Sequence, residues 1–89
     1  MPRFIAFHTV PDITEEEFRD NLDTVSKWRP NPRTTILKVY CNLAEGKLVS
    51  ECEAVERGHF EEWIESTGWP VDSIHQVDLV HQVGNLWKL

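Results

Sequence analysis

Residues 35–54, TILKVYCNLAEGKLVSECEA, decide the fold. Two runs of alternating apolar residues, 36–43 and 47–54, flank Glu45 and Gly46. An acidic residue followed by glycine between such runs is a strong short-range hairpin signal, because glycine accepts the positive φ of a tight turn. With Glu45 and Gly46 as a two-residue turn, Ala44 pairs with Lys47. Counting outward sets Cys41 against Ser50, Tyr40 against Glu51, Val39 against Cys52 and Lys38 against Glu53. The period of two then puts Leu37, Val39, Cys41, Leu43, Leu48, Cys52 and Ala54 on one face, expected to be core. Lys38, Tyr40, Glu51 and Glu53 share the other, where opposite charges across the strands contribute roughly 0.2–1 kcal/mol a pair.

Upstream, residues 3–10, RFIAFHTV, are rich in β-formers and apolar at nearly every position, which predicts a central strand. Ile5 and Phe7 are expected to face the helices, and Phe4, Ala6, His8 and Val10 the other way. Pro11 and Asp12 break the strand, and a helix start follows. Thr14 is the expected N-cap, Glu17 completes a capping box, and Ile13 and Phe18 occupy the positions of a hydrophobic staple. The stripe Phe18, Leu22, Val25 predicts a helix to about Trp28, ended because Arg29 precedes Pro30. Residues 29–33, RPNPR, form a stiff loop into the hairpin.

Downstream, Phe60, Trp63, Ile64 and Thr67 mark a second helix over 56–67. Gly68 suits its left-handed stop, with Trp69 set to touch Ile64, and Pro70 forbids continuation. Residues 73–83 predict the last strand, and 84–89, GNLWKL, a short tail packing on a neighbouring subunit.

The order strand–helix–strand–strand–helix–strand over residues 1–89 is that of a single ferredoxin-like α+β domain, with four antiparallel strands and two helices on one face. The uncovered face is too apolar to leave wet, so a homodimer through it is expected. Composition limits the partners. Nine basic against fifteen acidic residues give a formal charge of −6, which argues against nucleic acid and anionic membrane. No apolar run approaches the ~20 residues of a membrane span, and no signal core follows the start, so a cytoplasmic protein is expected. Two cysteines eleven positions apart match neither a disulfide framework nor a redox pair, and fit buried, reduced thiols.

The opening MPRFIAFHTVPD, the strand TILKVYC, the segment LVSECEA and above all GWPVDSIHQVDLV resemble a family of small ferredoxin-like proteins that includes a nickel-binding, nickel-responsive bacterial protein. The resemblance implies a dimeric α+β sandwich with a metal site at or near the sheet. Lys38 stands where such proteins usually carry a histidine, and Ser50 where they often carry a cysteine.

The residues themselves single out a cluster on the uncovered face: His8, Lys38, Tyr40, Glu51, Glu53 and Asp78. Strands about 4.8 Å apart let His8 and Glu51 converge, and an imidazole with a carboxylate suits a divalent transition metal, nickel being the one that the resemblance implies. Lys38, Tyr40, Glu53 and Asp78 would bind a small ligand there. The expected function is therefore a cytoplasmic homodimer binding a small molecule or divalent metal on its open face. One alternative is a small dimeric barrel enzyme with His8 or Glu51 as acid–base group; another is an interaction module without ligand. His59, His75 and His81 are too scattered for a zinc motif and fit surface or interface positions. No nucleophile elbow or phosphate loop occurs, so the sequence leans away from catalysis.

Overall fold

The computed structural model describes residues 1–27 and 34–89. In chain order the elements are β1 (Arg3–Thr9), α1 (Glu15–Lys27), β2 (Thr34–Asn42), β3 (Lys47–Ala54), α2 (Arg57–Thr67), β4 (Ser73–Val77), β5 (Leu79–Gln82) and β6 (Asn85–Lys88). The expected helix end at Trp28 and the loop at 29–33 lie outside the described residues.

Helix α1 starts as its residues dictate. The Thr14 hydroxyl oxygen accepts the Glu17 backbone N–H at 3.1 Å, and Ile13 and Phe18 join one core cluster. Three glutamates in the first turn complement the positive end of the helix dipole. Helix α2 has no side-chain cap at Glu56, but its stop is well made. Gly68 sits at φ 81°, and its N–H donates to the Glu65 carbonyl at 3.1 Å. Trp69 goes further than a cap contact: it is buried, stacks on Phe18 at 5.9 Å and meets Trp63 edge-on at 6.1 Å. Its indole N–H donates to Asn21 Oδ1 at 3.2 Å, which ties the end of α2 to α1.

The main sheet runs β2-β3-β1-β4, every neighbour antiparallel, with β1 and β3 in the middle. This is the ferredoxin-like fold, and both helices cover one face. Under α2, Phe4, Ala6, Cys52, Ala54 and Ile74 pack with Phe60 and Ile64. Under α1, Leu48 packs with Ile13 and Trp69, and Trp63 bridges the two clusters. Each fully buried large side chain, Phe60 or Ile64 for example, contributes roughly 1.5–3 kcal/mol.

Three expectations are corrected. First, β1 presents its other face to the helices: Phe4, Ala6 and His8 are buried, whereas Phe7 is exposed and Ile5 only half-buried. Phe4 pairs with Cys52 and Ala6 with Ser50, so the buried alternation of β3 imposes its phase on β1. Second, the hairpin turn is longer. Asn42 pairs with Lys47 around a loop of residues 43–46, which sets Lys38 against Glu51 and Tyr40 against Val49. This slip of two residues leaves the faces unchanged, but a bulge at Leu37 brings Ile36 onto the core face and turns Leu37 out.

Third, the last strand stops at Val77, and the expected tail is an arm of a hairpin. β5 and β6 form their own two-stranded sheet, with Val80 opposite Trp87 and His81 opposite Leu86. Val83 and Gly84 make its turn at φ 51° and 79°, both positive as a type I′ turn requires. A β-branched residue at the first position hides that turn from a sequence reading. Among the described residues, no helix is long and apolar enough to cross a membrane.

Gly46 is where the hairpin loop meets β1. Its carbonyl accepts the Val10 N–H at 2.7 Å, it sits at φ 66°, and an added Cβ would stand 2.6 Å from the Val10 carbonyl oxygen. Gly68 has the same handedness but open space around it. Gly68→Ala should therefore cost only the left-handed strain, about 1–2 kcal/mol. Gly46→Ala should cost about 1–3 kcal/mol more, because backbone must move. Urea unfolding of both variants checks the order; equal losses would mean that the Val10 contact is soft.

Candidate functional site

The open face is built in rows across β2, β3, β1 and β4. Lys38, Glu51, Ile5 and His75 make one row, and Tyr40, Val49, Phe7 and Ser73 the next. Toward one end lie Thr35, Glu53, Arg3 and Val77; toward the other, Asn42, Lys47 and Thr9. An apolar belt of Ile5, Phe7, Val49 and Tyr40 thus lies between two polar zones. Phe7 is 41% and Tyr40 57% exposed, and His75 meets the Phe7 ring edge-on at 6.1 Å.

Arg3 organises one polar zone. Its guanidinium donates to Glu53 Oε1 at 3.1 Å and lies 3.7 Å from Glu51 Oε2. The Lys38 side chain, directly across from Glu51, makes no ion pair or hydrogen bond among the described residues. In the other zone the Lys47 ammonium donates to Thr9 Oγ1 at 2.9 Å, and the Thr9 hydroxyl donates to Asp72 Oδ2 at 2.5 Å.

Of the residues expected to cooperate, Lys38, Tyr40, Glu51 and Glu53 do share this face. His8 does not. It faces the helices, pairs with Leu48 and is 1% exposed, so the expected His8–Glu51 pair is divided by the sheet. Asp78 lies at the break between β4 and β5, where its carbonyl accepts the Leu89 N–H at 2.8 Å, and is not part of the cluster. Among the described residues no group of three or more His, Cys, Asp or Glu side chains is placed to hold a metal ion.

His8 is instead a structural knot. Its Nδ1 is 2.8 Å from the Pro70 carbonyl, which can only accept, so Nδ1 carries the proton. Nε2 then accepts from the Ser50 hydroxyl at 2.8 Å, and the ring lies 5.5 Å from that of Trp69. Ser50 is wholly buried, so this serine–histidine pair offers no substrate access. Burial holds the imidazole below its ordinary pKa, against the opposing pull of the Pro70 carbonyl and the Asp72 charge. The thiols differ in access: Cys52 is wholly buried and Cys41 only half-buried. Burial, reinforced by Glu51 and Glu53, pushes Cys52 up to about 12, and burial raises Cys41.

The sequence reading missed Arg3, Phe7 and the β5–β6 hairpin. The signal for Arg3 was its phase: residues 3, 5, 7 and 9 share a face, and that face begins with a charge opposite Glu53 and next to Glu51.

No protein-family model matches the chain, and no curated protein matches it. A likeness of fold is found in the crystal structure of SCO4226 from Streptomyces coelicolor A3(2). The two superpose with a TM-score of 0.77 at 18% identity, over 89% of this chain and 99% of that one. At that identity the likeness concerns the fold alone, and it agrees with the ferredoxin-like topology.

Two outcomes follow from these buried groups. The folded pKa of His8 lies below its unfolded value of about 6.5, so its contribution is complete above that pH. It is lost as pH falls below 6.5 toward the folded value, because the unfolded chain takes the proton more readily. Melting curves from pH 7.5 to 5 should therefore slope more steeply for the wild type than for His8→Gln; parallel slopes would assign acid sensitivity to the carboxylates. With Ellman's reagent, Cys52 in the native protein should react about a hundredfold more slowly than in urea. Native labelling of Cys52 as fast as that of the unfolded chain would contradict the packing.

Proposed function

We propose that the chain is a small cytoplasmic binding protein that works as a homodimer, its two open sheet faces packed together around a site for a small molecule. The observation that carries this reading is the exposed belt of Phe7 and Tyr40 set between charged zones. Contiguous apolar surface rimmed by polar residues is the mark of an interaction site. A second copy suits it electrostatically. The face carries three cations, Arg3, Lys38 and Lys47, against three carboxylates, Glu51, Glu53 and Asp72, although the whole chain is at −6. Two copies can meet there without the repulsion that their net charges would produce elsewhere.

A ligand then finds Lys38 and Tyr40 free to make new hydrogen bonds at the rim of the belt, with Glu51 and Glu53 held in place by Arg3. Binding is favoured over turnover because the imidazole with a hydroxyl partner, His8, is sealed beneath the helices. Free thiols and no disulfide fit a reducing compartment. A divalent metal such as nickel would have to draw ligands from both copies, with Glu51, Glu53 and His75 as this chain's donors.

Light scattering on a sizing column should report a dimer at micromolar concentration. Phe7→Glu, which changes an exposed residue, should weaken association at least a hundredfold, about 2.7 kcal/mol, with little change in melting. A Phe7→Glu protein that stays dimeric would place the interface elsewhere. Native mass spectrometry with nickel distinguishes the metal version, which demands a stoichiometric adduct on the dimer.

A further inference from the structure

The β5–β6 hairpin leaves the main sheet at Asp78 and stands at the Arg3 end of the open face. Alternation sorts its side chains. Val80, Gln82, Trp87 and Leu89 share the inner side, turned toward Arg3 across a recess of about 330 Å³. Leu79, His81, Leu86 and Lys88 share the outer side. The inner side therefore holds no charged side chain, while the ammonium and the imidazole lie on the outer one. Within one chain the hairpin is poorly supported. Among the described residues, none of the hairpin joins either core cluster, and a two-stranded sheet is marginal by itself. Trp87 is 45% and Leu89 50% exposed. At the tip Val83 holds φ 51°, a costly conformation for a β-branched residue, and is 90% exposed.

We propose that the hairpin is a clasp for a second copy of this chain. When two open faces meet, the Val80–Trp87 side of each hairpin closes over the sheet of the other copy, so residues of both wall the site between them. The inference rests on the face-to-face dimer proposed above. Three observations select this occupant. The first is area. Four strands about 4.8 Å apart, seven residues long at about 3.3 Å a residue, span only on the order of 440 Å². A stable interface takes about 800 Å² from each partner, and the hairpin is the apolar surface that adjoins the sheet. The second is charge. Residues 79–89 contain none of the fifteen acidic residues, so the hairpin approaches a chain at −6 without the repulsion that other surfaces meet. The third is composition: interface cores are poor in charge and rich in aromatic residues, as the inner side is. A lipid surface would take the tip and the outer leucines first, and would leave the inner side, which faces Arg3, unmet.

Sedimentation of the full chain over a concentration series tests the clasp. Trp87→Glu should weaken association at least tenfold. Leu86→Glu puts the same charge on the outer side and should change association less than twofold. Both positions are exposed, so unchanged melting certifies the fold. In the wild type, hydrogen exchange of the 79–88 amides should slow at least tenfold from monomer to dimer, a readout that needs no substitution. Wild-type association of Trp87→Glu, equal losses from both variants, or hairpin exchange indifferent to concentration overturns the clasp. If Phe7→Glu dissociates the dimer and Trp87→Glu does not, the clasp fails while association through the open face stands. The reverse pattern keeps the hairpin contact and removes the open face as the main one. A chain monomeric at every concentration overturns both, and its capture by phosphatidylcholine vesicles through Trp87 would assign the hairpin to a lipid surface.

Discussion

A buried imidazole locks in the way this sheet faces. β1 could present either side to the helices, since both are largely apolar. A histidine under a hydrophobic layer is tolerated only if both ring nitrogens find partners, because an unmet polar group there costs on the order of 1–3 kcal/mol. His8 finds them in two different elements, the Pro70 carbonyl beyond α2 and the Ser50 hydroxyl on β3. The ring also lies against Trp69, which reaches Phe18 and Asn21 on α1. One side chain thereby couples the central strand pair to the end of one helix and, through Trp69, to the other. Once His8 is inside, alternation forces Arg3, Ile5, Phe7 and Thr9 outside, and the open face acquires its chemistry.

What was legible in the sequence was local. The Thr14 cap and the Gly68 stop are short-range devices whose physics needs no distant partner, and they appear where the residues place them. What was not legible depended on distant partners. The phase of β1 is set by β3, distant in sequence, and His8 looked like a surface residue because Pro70 and Ser50 were invisible as partners. The register of β2 on β3 escaped for another reason. Gly46 serves as the left-handed end of a four-residue loop and docks on Val10, so the turn obeys a tertiary contact rather than the shortest closure.

The same inversion reorders the candidate site. The cluster imagined around His8 survives in Lys38, Tyr40, Glu51 and Glu53, but its organising cation is Arg3. This changes the expected chemistry. An imidazole among carboxylates points to a metal; a guanidinium among carboxylates makes a rigid polar platform whose acids are already engaged.

The proposed association through the face, rather than along a strand edge, also fits how the edges are built. Exposed backbone on an edge strand invites another chain to add on, and proteins blunt it with bulges, charges and short strands. β2 is long enough to be hazardous, but its ladder is interrupted at Leu37 and carries Lys38 immediately after. β4 is only five residues, and the chain departs from the sheet at Asp78 into a separate hairpin. Neither edge offers a flat, uninterrupted template. The apolar surface that remains exposed and continuous lies across β2, β3 and β1, perpendicular to the hydrogen-bonding direction, and there side-chain packing governs contact. Packing of that kind can be self-complementary about a two-fold axis and closes after two copies, whereas edge addition would not close.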